Sequence, residues 1–212
     1  MSLLDEQVVL LECPVHTPIE RIHGSTHLIE QILSDHLEDI VPAYHSIAIF
    51  SKLSIEYICA SLDGKNESKE EIASSKRIVK LPICYELGMD LERVSTSANL
   101  SEDQVIELHL KGTYRSLFIG FTPGFIYADG LDEKLACVRL ENPRNQIPAG
   151  SVGIGGNQTG IYSLASPGGW NIIGRTPEKI FDPKNKPPML IDVGTSYQFY
   201  RISKAEFEAW ES

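Results

Sequence analysis

Ile147-Pro-Ala-Gly-Ser-Val-Gly-Ile-Gly-Gly-Asn-Gln-Thr-Gly-Ile-Tyr-Ser-Leu164 decides the fold of this chain. Two short apolar pieces, Val152 to Ile154 and Ile161 to Leu164, stand on either side of glycines and a polar Asn157-Gln158-Thr159. They are too short for helices, and the turn residues around them read as strand ends. The same grammar extends outward. Tyr114 to Phe121 is a strong strand and Val138 to Leu140 a short one, while Ile172-Ile173, Met189 to Val193 and Tyr197 to Ile202 follow downstream. Short strands at this spacing predict a compact β-barrel in the second half of the chain.

The charge pattern separates this half from the rest. No charged side chain stands between Arg144 and Arg175, and eight of the 16 glycines fall there. Residues 1 to 111, by contrast, hold 9 basic and 19 acidic side chains. The net charge of −10 repels phosphate backbones and anionic lipid surfaces, which argues against nucleic acid or a membrane as partner. Apolar runs such as Ile47 to Phe50 fall far short of the ~20 residues of a membrane span. Asp5 and Glu6, with no basic residue before Arg21, do not make the charged start of a signal peptide, and a cytoplasmic location is expected. The 212 residues suffice for a core without staples. Cys13, Cys59, Cys84 and Cys137 are scattered, form no CxxC and read as reduced, packed thiols.

The first ~85 residues alternate strand and helix signals. Val8 to Leu11 is a strand. Ser25 or Thr26 can cap a helix carrying Leu28, Ile29, Ile32, Leu33 and Leu37 at helical spacing. Ser46 to Phe50 is a second strand, and Ser54 caps a helix with Ile55, Ile58, Cys59 and Leu62 on one face. Asp63 to Ser75 is polar and reads as a loop. Ile78 to Ile83 is a third strand, which Pro82 confines to an edge or an end. Ser101-Glu-Asp-Gln104 and Ser203-Lys-Ala-Glu206 have the capping-box form and open two further helices, the first stopped by Gly112.

Four groups of residues could carry chemistry. In Gly120-Phe-Thr-Pro-Gly-Phe-Ile-Tyr127, Pro123 and Gly124 suit a type II corner, with Phe125 and Tyr127 either packing or facing a ligand at a barrel mouth. The Gly150 to Gly160 stretch, with Gln158 and Thr159, is neither a Walker loop nor a dinucleotide fingerprint. Its glycines turn tight corners or let backbone approach a ligand closely. Arg144 and Arg175 bracket the neutral stretch and would grip a planar anion, or else an internal Glu141, Asp182 or Asp192. His109 lies near a helix C-terminus whose dipole favours the imidazolium. No HExxH, GxSxG or paired His arrangement points to a metal or a serine nucleophile.

These residues together resemble the KipI family, the B subunit of bacterial ATP-dependent 5-oxoprolinase, also called allophanate hydrolase subunit 1. The resemblance rests on Leu108-His109, Gly120 to Tyr127, Pro143-Arg144, Ile147 to Gly155, Gln158-Thr159, Ile161-Tyr162, Ser166-Pro-Gly-Gly-Trp170 and Ile173-Gly-Arg-Thr-Pro177, in order and at the family's spacing. It is looser over Pro42 to Ser46 and Ile83-Cys84-Tyr85, and Leu4-Asp5 stands where the family usually has Gly-Asp. The resemblance implies an α+β chain, with a small N-terminal α/β sandwich domain over 1–84 and a C-terminal cyclophilin-like β-barrel domain over 85–212. It also implies a KipA-like C subunit and a LamB/YcsF-like A subunit as partners, together opening 5-oxoproline to glutamate at the expense of ATP. Phosphorylation of the lactam, with ATP and magnesium held at the junction with the C subunit, is the implied route. Arg144 or Arg175 would take the substrate carboxylate, and Gln158 with the glycine-rich backbone would hold lactam or phosphate. Pro123, Gly124, Phe125, Tyr127 and Thr159 would line the site, and His109 would act as general acid or base. Two other functions stay open: a KipI-like module that inhibits a sensor histidine kinase, and a subunit acting on urea or allophanate.

Overall fold

The computed structural model describes residues 2–5, 8–63 and 78–210. The chain divides into two compact units, Met1–Ala73 and Ser74–Ser212.

In the first unit, β1 (Ser2–Asp5), β2 (Val8–Glu12), α1 (Ile19–Leu33), β3 (Leu37–Pro42), β4 (Ser46–Ser51) and α2 (Ile55–Leu62) follow in order. The strands pair antiparallel in the order β1-β2-β4-β3. Alternation along β4 buries Ile47 and Ile49, which meet Val9, the α1 stripe Ile22, Ile29 and Leu33, and Ile58 of α2. Ser54 caps α2 as its position predicts, accepting from the Tyr57 N–H. The first helix starts earlier than Ser25 or Thr26. Pro18, at φ −57°, is already set for helix entry, and Ile19 and Ile22 continue the apolar stripe upstream. Thr26 instead donates its hydroxyl to the Ile22 carbonyl inside the helix. Leu37 opens β3, a strand that the pattern did not predict, and Cys59 is exposed. The expected loop from Asp63 to Ser75 lies, beyond Asp63, outside the described residues.

The second unit holds β5 (Val79–Ile83), α3 (Leu91–Ala98), α4 (Glu102–Lys111), β6 (Tyr114–Ile119), β7 (Ile126–Asp129), β8 (Arg144–Ile147), β9 (Ser151–Gly155), β10 (Gln158–Ile161), β11 (Ser166–Gly168), β12 (Asn171–Arg175), β13 (Ser196–Arg201) and α5 (Lys204–Glu208). Seven strands form one sheet in the order β12-β9-β10-β7-β6-β13-β5, and β8 pairs with β11 beside it. Both predicted capping boxes are present, at Ser101/Gln104 and Ser203/Glu206. Val138 to Leu140 and Met189 to Val193 are not strands. Cys137 and Met189 instead make isolated bridges to Gly156 and Phe181. The strand expected over Ile161 to Leu164 lies instead over Gln158–Ile161, taking in the polar residues read as a turn.

Val79–Ile83 is an edge strand, as Pro82 suggested, but of this sheet rather than the first. It pairs parallel with β13, so that Leu81 and Ile83 share a core with Tyr197 and Phe199. The division between units accordingly falls before it rather than after residue 84.

The sheet's two edge strands meet. Cys84, just past β5, and Arg175, at the end of β12, exchange backbone N–H···O bonds of 2.8 and 3.0 Å, which nearly closes the sheet into a barrel. Further along β12, no strand is present and Asp90 replaces one. Its N–H donates to the Ile172 carbonyl at 2.8 Å, and its carboxylate accepts the Ile172 N–H at 2.7 Å. Arg144 donates from Nη1 and Nη2 to the two carboxylate oxygens at 2.9 and 2.6 Å, with the Asp90 side chain only 7% exposed. This bidentate pair holds the carboxylate against the strand edge.

Alternation gives the barrel wall two apolar faces. Ile126, Val152, Ile154, Ile161 and Ile173 belong to the inner core with Tyr114 and Tyr197, whereas their chain neighbours Phe125, Tyr162 and Ile172 form an outer cluster with Ile147 and Trp170. Asp90→Ala removes the acceptor for Ile172 and strands the Arg144 charge, and is expected to cost about 3 kcal/mol in urea denaturation. A loss below about 1 kcal/mol would show that the carboxylate does not hold this edge.

Candidate functional site

The outer cluster begins at a sharp corner. Thr122-Pro123-Gly124-Phe125 is a type II turn, with Gly124 at φ +78° and the Phe125 N–H bonded to the Thr122 carbonyl at 3.1 Å. The corner aims Phe125 and then Tyr127 outward. Trp170 lies flat over β9 and β10, where a Cβ on Gly155 would come within 2.5 Å of the indole and one on Gly160 within 2.9 Å. The glycines of the neutral stretch therefore act as a seat for Trp170. Phe125 makes edge-to-face contacts with Tyr127, Tyr162 and Trp170 at centroid distances of 4.7, 4.8 and 5.5 Å.

These rings wall a hollow of about 330 Å³, completed by Phe121, Leu140, Pro143, Pro167, Gly168, Gly169 and Arg139. Among the described residues Arg139 is the one charged residue in the lining, and its guanidinium carbon lies 5.4 Å from the centre of the Trp170 ring. Burial raises the Tyr127 hydroxyl above its ordinary value and pushes Tyr162 up to about 12, so both are neutral hydrogen-bonding groups. A second hollow, of about 410 Å³, lies between Glu92, Arg93, Thr96 and Ser97 of α3 and the Cys137-Val138 segment.

The carboxyltransferase domain family, subdomain C and D, matches residues 1–191. The B subunit of the Bacillus subtilis 5-oxoprolinase is 35% identical over 206 residues, covering 90% of this chain and 86% of that one. This chain belongs to the family of 5-oxoprolinase B subunits, within the carboxyltransferase subdomain C and D group. Among solved structures, TTHA0988 superposes with a TM-score of 0.80 at 30% identity over 93% of this chain, which spans 40% of that protein's length. The urea carboxylase of Kluyveromyces lactis shares the fold, with a TM-score of 0.71 at 19% identity over 96% of this chain and 22% of its own.

The residues expected from the family's motifs are distributed unevenly. Phe125 and Tyr127 line the aromatic hollow, whereas Pro123 and Gly124 shape the corner behind it, the Pro123 carbonyl accepting from the Ser163 hydroxyl at 2.5 Å. Gln158 opens β10, and Thr159 is fully buried with its hydroxyl on the Gly153 carbonyl, on the strand face opposite Gly160. Arg144 does not pair with Glu141, Asp182 or Asp192 but with Asp90. Arg175 donates from Nε to the Ala149 carbonyl at 2.7 Å and lies 5.4 Å from the Phe207 ring. Neither arginine lines the hollow. Arg139 and Tyr162 were not singled out from sequence, and the contact of Arg139 with Trp170 spans a stretch of chain that no local pattern links.

His109 also departs from expectation. It stands on the buried face of α4 with Val105 and Ile106, fully inaccessible, stacked on Phe199 at 5.0 Å and bonded through Nδ1 to the Tyr85 hydroxyl at 2.7 Å. Desolvation lowers its pKa from 6.5 to about 3, against the helix dipole. So enclosed a group is packed as a neutral core aromatic and does not line the hollow, which does not support the expected general acid or base role.

The linkage has a definite sign. The unfolded imidazole takes up a proton below pH 6.5 and the folded one does not until about pH 3, so stability present above 6.5 is lost as pH falls through that window. His109→Leu should remove a dependence of about 1.4 kcal/mol per pH unit, read as the difference between variant and parent in urea denaturation at about pH 7 and about pH 5. Parallel pH profiles for the two proteins would place a charged imidazole in the folded state.

Proposed function

We propose that this chain is the B subunit of an ATP-dependent 5-oxoprolinase that opens 5-oxoproline to L-glutamate together with a KipA-like C subunit and a LamB/YcsF-like A subunit. The observation that carries the reading is the aromatic hollow with its single cation. A five-membered lactam is flat enough to lie between rings, and its one carboxylate calls for one guanidinium. A volume of about 330 Å³ suits a small metabolite. The relatives named as B subunits of 5-oxoprolinase support the same assignment.

A lactam carbonyl is a poor electrophile. Transfer of the terminal phosphoryl group of ATP to its oxygen would activate the ring carbon; water adding there would break the C–N bond and free the amine, leaving an acyl phosphate, and a second water would release phosphate, so that 5-oxoproline, ATP and two waters give glutamate, ADP and phosphate. In this proposal Phe125, Tyr127 and Trp170 orient the ring and exclude water from one side, while Tyr127 and Tyr162 offer neutral hydroxyls. The hollow, lined by aromatic rings and a single guanidinium among the described residues, suits a small monoanion better than a triphosphate. ATP is therefore assigned to the C subunit or its junction with this chain. A cytoplasmic place of action is part of the proposal. No helix among the described residues is long and apolar enough to cross a membrane.

Reconstitution tests this directly. Mixed with its C- and A-type partners, the chain should support ATP hydrolysis that depends on 5-oxoproline, and omission of the chain should abolish it. Activity with a carboxylated urea in place of 5-oxoproline would move the assignment to the allophanate reaction. Folded partners that turn over 5-oxoproline without this chain would reject the subunit role.

A further inference from the structure

We infer that Arg139 is the residue that recognises the carboxylate of the ligand in the aromatic hollow, and that the hollow selects small cyclic monocarboxylates over their uncharged analogues. The identity of that ligand as 5-oxoproline rests on the function proposed above. The assignment to Arg139 rests on the geometry alone.

Among the described residues four arginines lie close to the charge-free stretch, and three are already engaged, Arg93 with the Asn171 side-chain oxygen. Arg144 grips both oxygens of Asp90, and Arg175 is bound to the Ala149 carbonyl beside the Phe207 ring. Arg139 has the Trp170 ring beneath it and no Asp or Glu in the lining around it. A guanidinium held over an indole face by its charge leaves N–H groups available, so it can still donate two parallel bonds to a carboxylate.

The segment that carries it is fixed on both sides. Cys137 and Gly156 exchange backbone bonds of 3.0 and 2.8 Å, and the Val138 carbonyl accepts from Asn171 Nδ2 at 3.0 Å. The Leu140 N–H donates to the Gly169 carbonyl at 2.7 Å. Asn171 is itself fully buried, with its second amide bond to the Ile154 carbonyl and its oxygen accepting from Arg93 Nε. Residues 137 to 140 are thus held to the strands that flank Trp170. An otherwise exposed side chain is set over the hollow from a backbone that does not wander. Aromatic walls lower the local dielectric, which strengthens a pair formed there and penalises an uncharged ligand that leaves the guanidinium unmatched.

Titration calorimetry on the full chain with L-5-oxoproline and with 2-pyrrolidinone, the same ring without its carboxylate, tests the assignment. Arg139→Met should weaken L-5-oxoproline about 10- to 100-fold, the loss of a charge-assisted bond, and leave 2-pyrrolidinone bound at least as tightly as in the parent, since no guanidinium is then left unmatched. Arg139→Lys should fall between, since an ammonium keeps charge but loses the planar fork. Because Arg139 is exposed, both variants should melt within about 2 °C of the parent. In the reconstituted enzyme, Arg139→Met should raise KM for 5-oxoproline by a similar factor with kcat within about twofold. Parent-like binding and KM in the variants would overturn the inference while leaving the oxoprolinase reading intact. Absent turnover by the parent complex, with Arg139-dependent binding of another cyclic carboxylate, would sustain the inference and remove that reading.

Discussion

Two reciprocal backbone bonds between Cys84 and Arg175 hold the second unit together, because they join the two edges of a seven-strand sheet. An open sheet of this length would expose unpaired N–H and C=O groups along β12. Closure, completed by the Asp90 backbone and carboxylate, satisfies them and sets where β12 begins. Trp170 and Asn171 sit at that beginning. The position of the indole over β9 and β10, and of the Val138 carbonyl on the Asn171 amide, follows from the seam rather than from any local preference.

The same closure divides labour between the two faces of the wall. The inner face carries aliphatic residues with His109, Tyr114, Tyr197 and Phe199, and it is a core. The outer face carries aromatic residues over glycine backbone, and it remains partly open. The imidazole shows how strongly position governs chemistry: in the core it stays neutral down to about pH 3, where on a surface it would titrate near 6.5. The guanidinium of Arg139 stands at the open face, where a ligand can reach it. Catalysis by the assembled enzyme, in this account, draws on this chain for a shaped and charged receptor rather than for a proton-transfer group.

Much of the architecture is legible in the sequence because it is written locally. Both capping boxes, the Pro123-Gly124 corner and the strand around Val152 to Ile154 depend on residues within a few positions of one another. What escaped depends on distant pairing. The strand Val79–Ile83 joins β13 in parallel, so its membership of the second unit is invisible from its own pattern. Asp90 is 54 residues from Arg144, and nearer acids compete for that arginine on paper. His109 reads from the sequence as a residue near the end of its helix, and only the packing of Phe199 and Tyr114 against it reveals it as buried. The glycines of the neutral stretch were read as corners or ligand contacts, and three-dimensional structure alone shows an indole lying on them.

Amide hydrogen exchange with and without L-5-oxoproline tests the central claim, that the closed barrel presents a fixed hollow for a cyclic carboxylate. The account predicts that the Cys84, Ile172 and Arg175 amides exchange only through global unfolding in both conditions. It predicts that the protection gained on adding ligand falls on Leu140 and Trp170 at the hollow. Local opening at the seam, or protection gained elsewhere while Leu140 and Trp170 stay unchanged, would contradict it.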